Sequence, residues 1–163
     1  MRVLGIDPGT ALTGYAIVEE EGSTLQLITL GVLETEAGTP LPQRLQAIYR
    51  GLREIVTVHA PAAAAVEALF FSRNVRTAMA VGQARGVVLL ALADAGLPIA
   101  EYTPLEVKQS ITGYGGADKH QVQEMVRMLL HLPTIPRPDD AADAVAIAIC
   151  GLHRAQLDAL IRS

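Results

Sequence analysis

The sequence predicts an α/β fold: one mixed five-stranded sheet covered by helices on both faces. Two observations carry this. Three strand-like segments separated by tight-turn signals fill the first third of the chain, and beyond them short apolar runs alternate with segments of helical period. A length of 163 residues at 50% hydrophobic content suits one globular domain, residues 1–163, and leaves no room for two large ones.

Val3 to Asp7, Gly14 to Glu20 and Thr24 to Glu34 read as an antiparallel meander, parted by Pro-Gly and Glu-Gly turn signals. After Pro40 and Pro42, Leu41, Leu45, Ile48, Tyr49, Leu52, Ile55 and Val56 recur at three- and four-residue steps, which predicts a helix ending near His59. Ala62 to Leu69 is short enough to be a buried strand. Val75 to Ala95 is a second helix, closed by Gly96 and Pro98. Pro98 to Tyr102 makes the fifth strand, Pro104 opens a short helix through Ser110, and Ile111 to Asp118 is a glycine-rich loop. Lys119 to Leu132 and Asp139 to about Ile161 complete the chain as helices.

A net charge of −4 does not advertise a nucleic-acid partner, so any such partner must be met by a local patch. Residues 72–137 are the only basic stretch, with seven basic against five acidic side chains; residues 1–71 carry four against eight, and 138–163 two against four. The single cysteine, Cys150, sits in an apolar helical run and excludes an intrachain disulfide or a cysteine-rich zinc site. No basic leader precedes the first strand, and no charge-free stretch approaches about 18 residues, so no membrane is expected and the cytoplasm is the expected compartment.

Four carboxylates stand in unusual places. Asp7 ends the first strand and is followed by Pro8-Gly9-Thr10, at the carboxyl edge where open α/β sheets build their sites; an Asx-turn would also explain it. Glu67 interrupts an apolar run, where an ionised carboxylate is costly unless it is bound to a cation or paired with an arginine. Asp140 and Asp143 are three apart at the start of a helix and share a face. Asp139 or Asp140 equally suits a helix start, whereas Asp143 already lies inside the apolar run.

Together, acids from two strand ends and an i,i+3 pair on a helix are what a hard, oxygen-seeking divalent cation needs. Mg²⁺ suits, with Mn²⁺ as substitute. Two such ions about 3.5–4 Å apart can activate water and stabilise the leaving oxygen of a phosphodiester. His59, His120, His131 and His153 are scattered and read as surface or capping residues.

The residues also resemble a known family, the RuvC-type Holliday-junction resolvases, which are homodimeric endonucleases with an RNase H-like fold. The resemblance runs from about Val3 to Ala148. It rests on Gly5-Ile6-Asp7-Pro8-Gly9-Thr10 with Thr13-Gly14-Tyr15, Val66-Glu67 with Phe70, Gly82-Gln83-Ala84-Arg85-Gly86, Val107-Lys108-Gln109, Ala117-Asp118-Lys119 with Gln121-Val122, and Asp140-Ala141-Ala142-Asp143-Ala144.

The resemblance implies that Asp7, Glu67, Asp140 and Asp143 are metal ligands and catalytic acids, with two Mg²⁺ per site and Asp7, on the central strand, bridging both. It implies resolution of four-way junction DNA by paired symmetric nicks that leave 5′-phosphates. Lys108 and Lys119 are placed to meet phosphate oxygens, and the family pattern agrees. Phe70 is assigned to the junction centre, where an aromatic ring can stack on an unpaired base. Arg73, Asn74 and Arg76 follow in the same loop as backbone-phosphate contacts, with Arg85 on the next helix completing a basic patch.

A two-fold dimer would present two equivalent sites to a junction, and the Val75 to Ala95 helix, with Ala78, Gly82, Gly86 and Ala93, is a candidate interface; packing on the sheet explains the same residues. A branch-migration helicase complex of the RuvA-RuvB type is the further partner the family implies. Three rivals stay open. One is a YqgF-type RNA-processing nuclease of the same fold. Another is a catalytically silent junction-binding protein. The third is a nucleotide-binding phosphotransferase domain, since Gly-Ile-Asp-x-Gly-Thr also resembles the phosphate turn of sugar kinases.

Overall fold

A computed structural model describes residues 1–68 and 74–162. The chain runs β1 (Arg2–Asp7), β2 (Leu12–Glu21), β3 (Thr24–Glu34), α1 (Leu41–His59), β4 (Ala63–Glu67), α2 (Val75–Asp94), β5 (Ile99–Tyr102), α3 (Pro104–Thr112), α4 (Lys119–Leu129) and α5 (Asp139–Arg162). Every expected element is present in the expected order. The strand order is β3-β2-β1-β4-β5. The β1–β2 and β2–β3 pairs are antiparallel and the β1–β4 and β4–β5 pairs parallel, so the sheet is mixed and β1 is its central strand.

Four element ends differ from expectation by two residues or more: β2 begins at Leu12 rather than Gly14, α3 runs to Thr112 rather than Ser110, and the ends of β4 and α4 differ as well. β4 stops at Glu67 rather than Leu69; Ala68 still donates its N–H to the Tyr102 carbonyl at 2.8 Å, the last link to β5. α4 stops at Leu129 rather than Leu132 because His131 adopts a left-handed conformation (φ 52). The His131 N–H donates to Met128 O at 3.2 Å and the Leu132 N–H to Arg127 O at 2.9 Å. This is a Schellman closure with histidine where glycine is usual.

Alternation along the strands splits the core in two. Leu4 and Ile6 of β1 and Ala64 and Val66 of β4 pack with Ile48, Leu52 and Ile55 of α1 and Ala84, Val88, Ala91 and Leu92 of α2. Val3 and Ala65 face the other way, onto α5. α5 is buried almost continuously from Ala141 to Cys150 and again at Leu152. α2 and α5 are each long and apolar enough to cross a membrane; packing against the sheet accounts for this in α5.

Two glycines let α5 lie on the strands without a side-chain layer between them. A Cβ on Gly5 would sit 2.1 Å from the Ala144 carbonyl oxygen, and one on Gly14 would sit 2.0 Å from that of Asp140. Glycine inside a strand weakens pairing, and its compensation here is direct helix-to-strand backbone contact.

Candidate active site

The strand register assembles the acids. Asp7 and Glu67 end β1 and β4, two parallel neighbours in which Ile6 pairs with Val66. Both share the parity of Val3, Gly5 and Ala65, so both side chains leave the sheet on the α5 face. Asp7 also pairs with Gly14, the residue that touches the Asp140 carbonyl. Helix α5 therefore starts directly over Asp7, and Asp140 and Asp143 come to the strand-borne acids. All four are half-buried.

This crowding has an electrostatic signature. Burial first, then the hydrogen bond and charge of Glu67, and then the charges of Asp143 and Asp140, push the Asp7 carboxyl from 3.8 up to about 9. Burial also raises Asp143; Lys119 opposes this and Glu67 reinforces it. Lys119 Nζ lies 2.7 Å from Asp139 Oδ2 and 3.5 Å from Asp143 Oδ2. Its hydrogen bond, and then its charge, hold Asp139 below its ordinary value. Among the described residues no ion pair reaches Asp7.

A cavity of about 260 Å³ opens beside the acids, with Glu67, Asp143, Lys108 and Lys119 among its lining residues. Pro104, Val107, Val122, Ala146 and Ile147 give it apolar walls. Lys108 is carried by α3, whose start is fixed by a Thr103/Glu106 capping box, and Lys119 by α4, whose start is fixed by an Asp118/Gln121 capping box. The Asp118-Lys119-His120-Gln121 stretch thus has a local reason: it starts the helix that aims Lys119 at the acids.

The acid cluster fits a hard divalent cation by donor chemistry, since every candidate ligand is a carboxylate oxygen and the crowded Asp7 lacks a neutralising partner. Among the described residues no three His, Cys, Asp or Glu side chains stand close enough to enclose an ion unaided. Mg²⁺ tolerates this, because it keeps several waters and completes its shell with one or two carboxylates and substrate phosphate oxygens.

Other expected site residues fall elsewhere. Phe70 and Arg73 lie outside the described residues. Asn74 is the N-cap of α2, its Oδ1 accepting from the Arg76 N–H at 3.1 Å and the Thr77 N–H at 3.3 Å, so its carboxamide oxygen is engaged by the helix. The Arg76 side chain is exposed. Arg85 is ion-paired with Glu101 of β5 and does not extend a free basic patch. His153 is half-buried and its Nδ1 lies 3.1 Å from Ser110 Oγ, a partner the surface reading did not foresee.

Sequence reasoning named Thr13 only within a motif and gave it no role, yet it is the one fully buried polar residue among those described. Its hydroxyl donates to the Gly9 carbonyl at 2.6 Å and clamps the turn after Asp7. The spatial role of Gly5 and Gly14 was missed too, although isolated glycines inside strands are a recognisable sign of close backbone approach.

Comparison with known proteins places the chain in a family. Residues 3–151 match the family described as RuvC, crossover junction endodeoxyribonuclease RuvC. A crossover junction endodeoxyribonuclease RuvC of Chloroflexus aurantiacus is 63% identical over 155 residues, covering 95% of this chain and 94% of that protein. One of Chloroflexus aggregans is 61% identical over 155 residues, with the same coverage of 95% and 94%. Among solved structures, Thermus thermophilus RuvC in complex with Holliday junction substrate superposes with a TM-score of 0.93 at 38% identity, covering 97% of this chain and 96% of that one.

Proposed function

The chain belongs to the RuvC family of crossover junction endodeoxyribonucleases, and from that premise we propose that the Asp7, Glu67, Asp140 and Asp143 cluster is the hydrolytic centre with which it resolves four-way DNA junctions. It is an endodeoxyribonuclease with an RNase H-like fold, and Holliday-junction resolution is its function in recombination and repair. The observation that carries the site assignment is the meeting of two strand ends and the start of α5, where burial first and the neighbouring acids second raise the Asp7 carboxyl above its ordinary value.

Asp7, Glu67, Asp140 and Asp143 are the residues that would hold Mg²⁺, two ions per site, or Mn²⁺ as substitute. Bound there, the metal supplies water activation and stabilises the leaving oxygen. Hydrolysis adds water across the phosphodiester, breaks the P–O3′ bond, and leaves a 5′-phosphate and a 3′-hydroxyl. Lys108 and Lys119 line the adjoining cavity and are the groups offered to phosphate oxygens. Lys119 is already shared between Asp139 and Asp143, so a phosphate that draws it away frees those carboxylates at the moment of binding. Phe70 is assigned to base stacking at the junction centre, and Arg73 and Arg76 to backbone phosphates, with Asn74 organising the loop as a helix cap.

A homodimer supplies the two nicks. α2 suits that interface, since Val75 and Met79 are 73% and 60% exposed and Leu90 is 55% exposed on a helix of high apolar content. A RuvA-RuvB-type branch-migration complex is the partner proposed from family membership. The RNA-processing, silent and phosphotransferase readings are not favoured, given four acids in place and relatives above 60% identity that share the nuclease name.

The test is a synthetic four-way junction incubated with the protein in Mg²⁺ or Mn²⁺, with an EDTA control and Asp7→Asn, and cuts mapped on all four strands. Paired symmetric nicks that vanish in EDTA and in the variant, with junction binding retained, are expected. Binding without cutting in either metal would overturn the assignment of the acids.

A further inference from the structure

We propose that Thr10 is a positioning residue that couples the exposed first half of α2 to the turn carrying Asp7; this rests on the junction-cleaving reading above. Asp7-Pro8-Gly9-Thr10 leaves β1 and is held on one side by fixed parts of the fold. Thr13 Oγ1 donates to Gly9 O at 2.6 Å, Thr35 Oγ1 donates to Thr10 O at 2.5 Å, and the Thr35 N–H donates to Ala11 O at 2.9 Å. Arg44 of α1 backs Thr35, its Nε donating to Thr35 Oγ1 at 2.8 Å. These bonds tie the turn to β2, to the residue that follows β3 and, through it, to α1.

A further tie points elsewhere. Thr10 Oγ1 donates to the Ala80 carbonyl of α2 at 2.9 Å. That carbonyl belongs to the part of α2 that the core does not grip. The buried residues of α2 begin at Ala84, whereas Val75 is 73% and Met79 60% exposed. The same helix follows Glu67 in the chain, after residues 68–74. Both strand-borne acids are thus linked to α2, Glu67 through the chain and Asp7 through one hydroxyl. A load on the exposed half of α2, from DNA or from a second copy, reaches the Asp7 turn through Thr10. Misplacement of a reacting group by about 1 Å can cost on the order of a hundredfold in rate.

The experiment compares wild type, Thr10→Val, which keeps the shape and removes the donor, and Thr10→Ser, which restores it. Expected for Thr10→Val are single-turnover junction cleavage at saturating protein slowed at least tenfold, junction Kd in EDTA within twofold of wild type, and recovery in Thr10→Ser. Amide hydrogen exchange on the metal-free protein should rise in Thr10→Val at residues 7–13 and 76–83 together. Cleavage by Thr10→Val within twofold of wild type, an equal loss in both variants, or faster exchange in only one segment would overturn the coupling. Failure of the wild type to cut any junction defeats the functional reading instead, and the exchange measurement still decides the role of Thr10.

Discussion

Gly14 and Asp140 are in backbone contact: a methyl group on Gly14 would lie 2.0 Å from the Asp140 carbonyl oxygen. Because Gly14 pairs with Asp7 across the sheet, this contact sets the height of the α5 acids above the strand acid. Gly14→Ala must lift the start of α5. Overpacking of this kind costs about 1–3 kcal/mol. We expect a stability loss of that order in urea unfolding together with a cleavage loss of at least roughly tenfold, equivalent to about 1.4 kcal/mol in the barrier. Full activity in Gly14→Ala would show that the acids do not depend on this contact.

Asp7→Asn should stabilise the metal-free protein while abolishing cleavage. The folded state holds a proton on Asp7 up to about 9, against an ordinary 3.8, so its contribution to stability is fully present below the ordinary value and is lost as pH climbs toward 9. Urea midpoints in EDTA at pH 6 and pH 8.5 should fall with pH in the wild type and fall less in Asp7→Asn. Added Mg²⁺ should raise the wild-type midpoint more than that of the variant.

Lys119→Gln should leave stability nearly unchanged, because Lys119 and Asp139 are about half exposed and such pairs contribute about 0–1 kcal/mol. Its effect belongs to the site. Without the Lys119 charge, Asp143 rises further from its ordinary value, so the acid limb of the cleavage profile should move to higher pH. The slope of log Kd for the junction against log salt should shrink by about one. An unchanged acid limb would separate Lys119 from Asp143 in function.

Asp118→Ala removes the cap that starts α4 and should cost about 1 kcal/mol, recovered by Asp118→Asn or Asp118→Ser. Cleavage should fall along with it, since Lys119 is the first residue of that helix. Thermal midpoints and initial rates on one junction measure both effects.

The element order was legible because hydrophobic period changes from two to three-and-four along the chain, and the changes are bounded by Pro or Gly except between β4 and α2. The acids were legible because a charge inside an apolar run demands a reason, as Glu67 and Asp143 do. What escaped was tertiary. That Arg85 would spend its charge on Glu101, or Lys119 on Asp139, depends on which strand or helix arrives opposite, and no local pattern encodes that. His131 closing α4 in a left-handed conformation escaped for a related reason: the expected residue there is glycine, and the motif's hydrogen bonds supplied what the side chain does not favour.

Asp7 and Asp143 are far apart in the sequence and meet only because α5 settles onto β1 and β2. On the assignment proposed above, the centre is therefore a property of the tertiary fold: β1 and β4 alone carry two of the four acids, and the cluster exists only while α5 stays docked on the sheet.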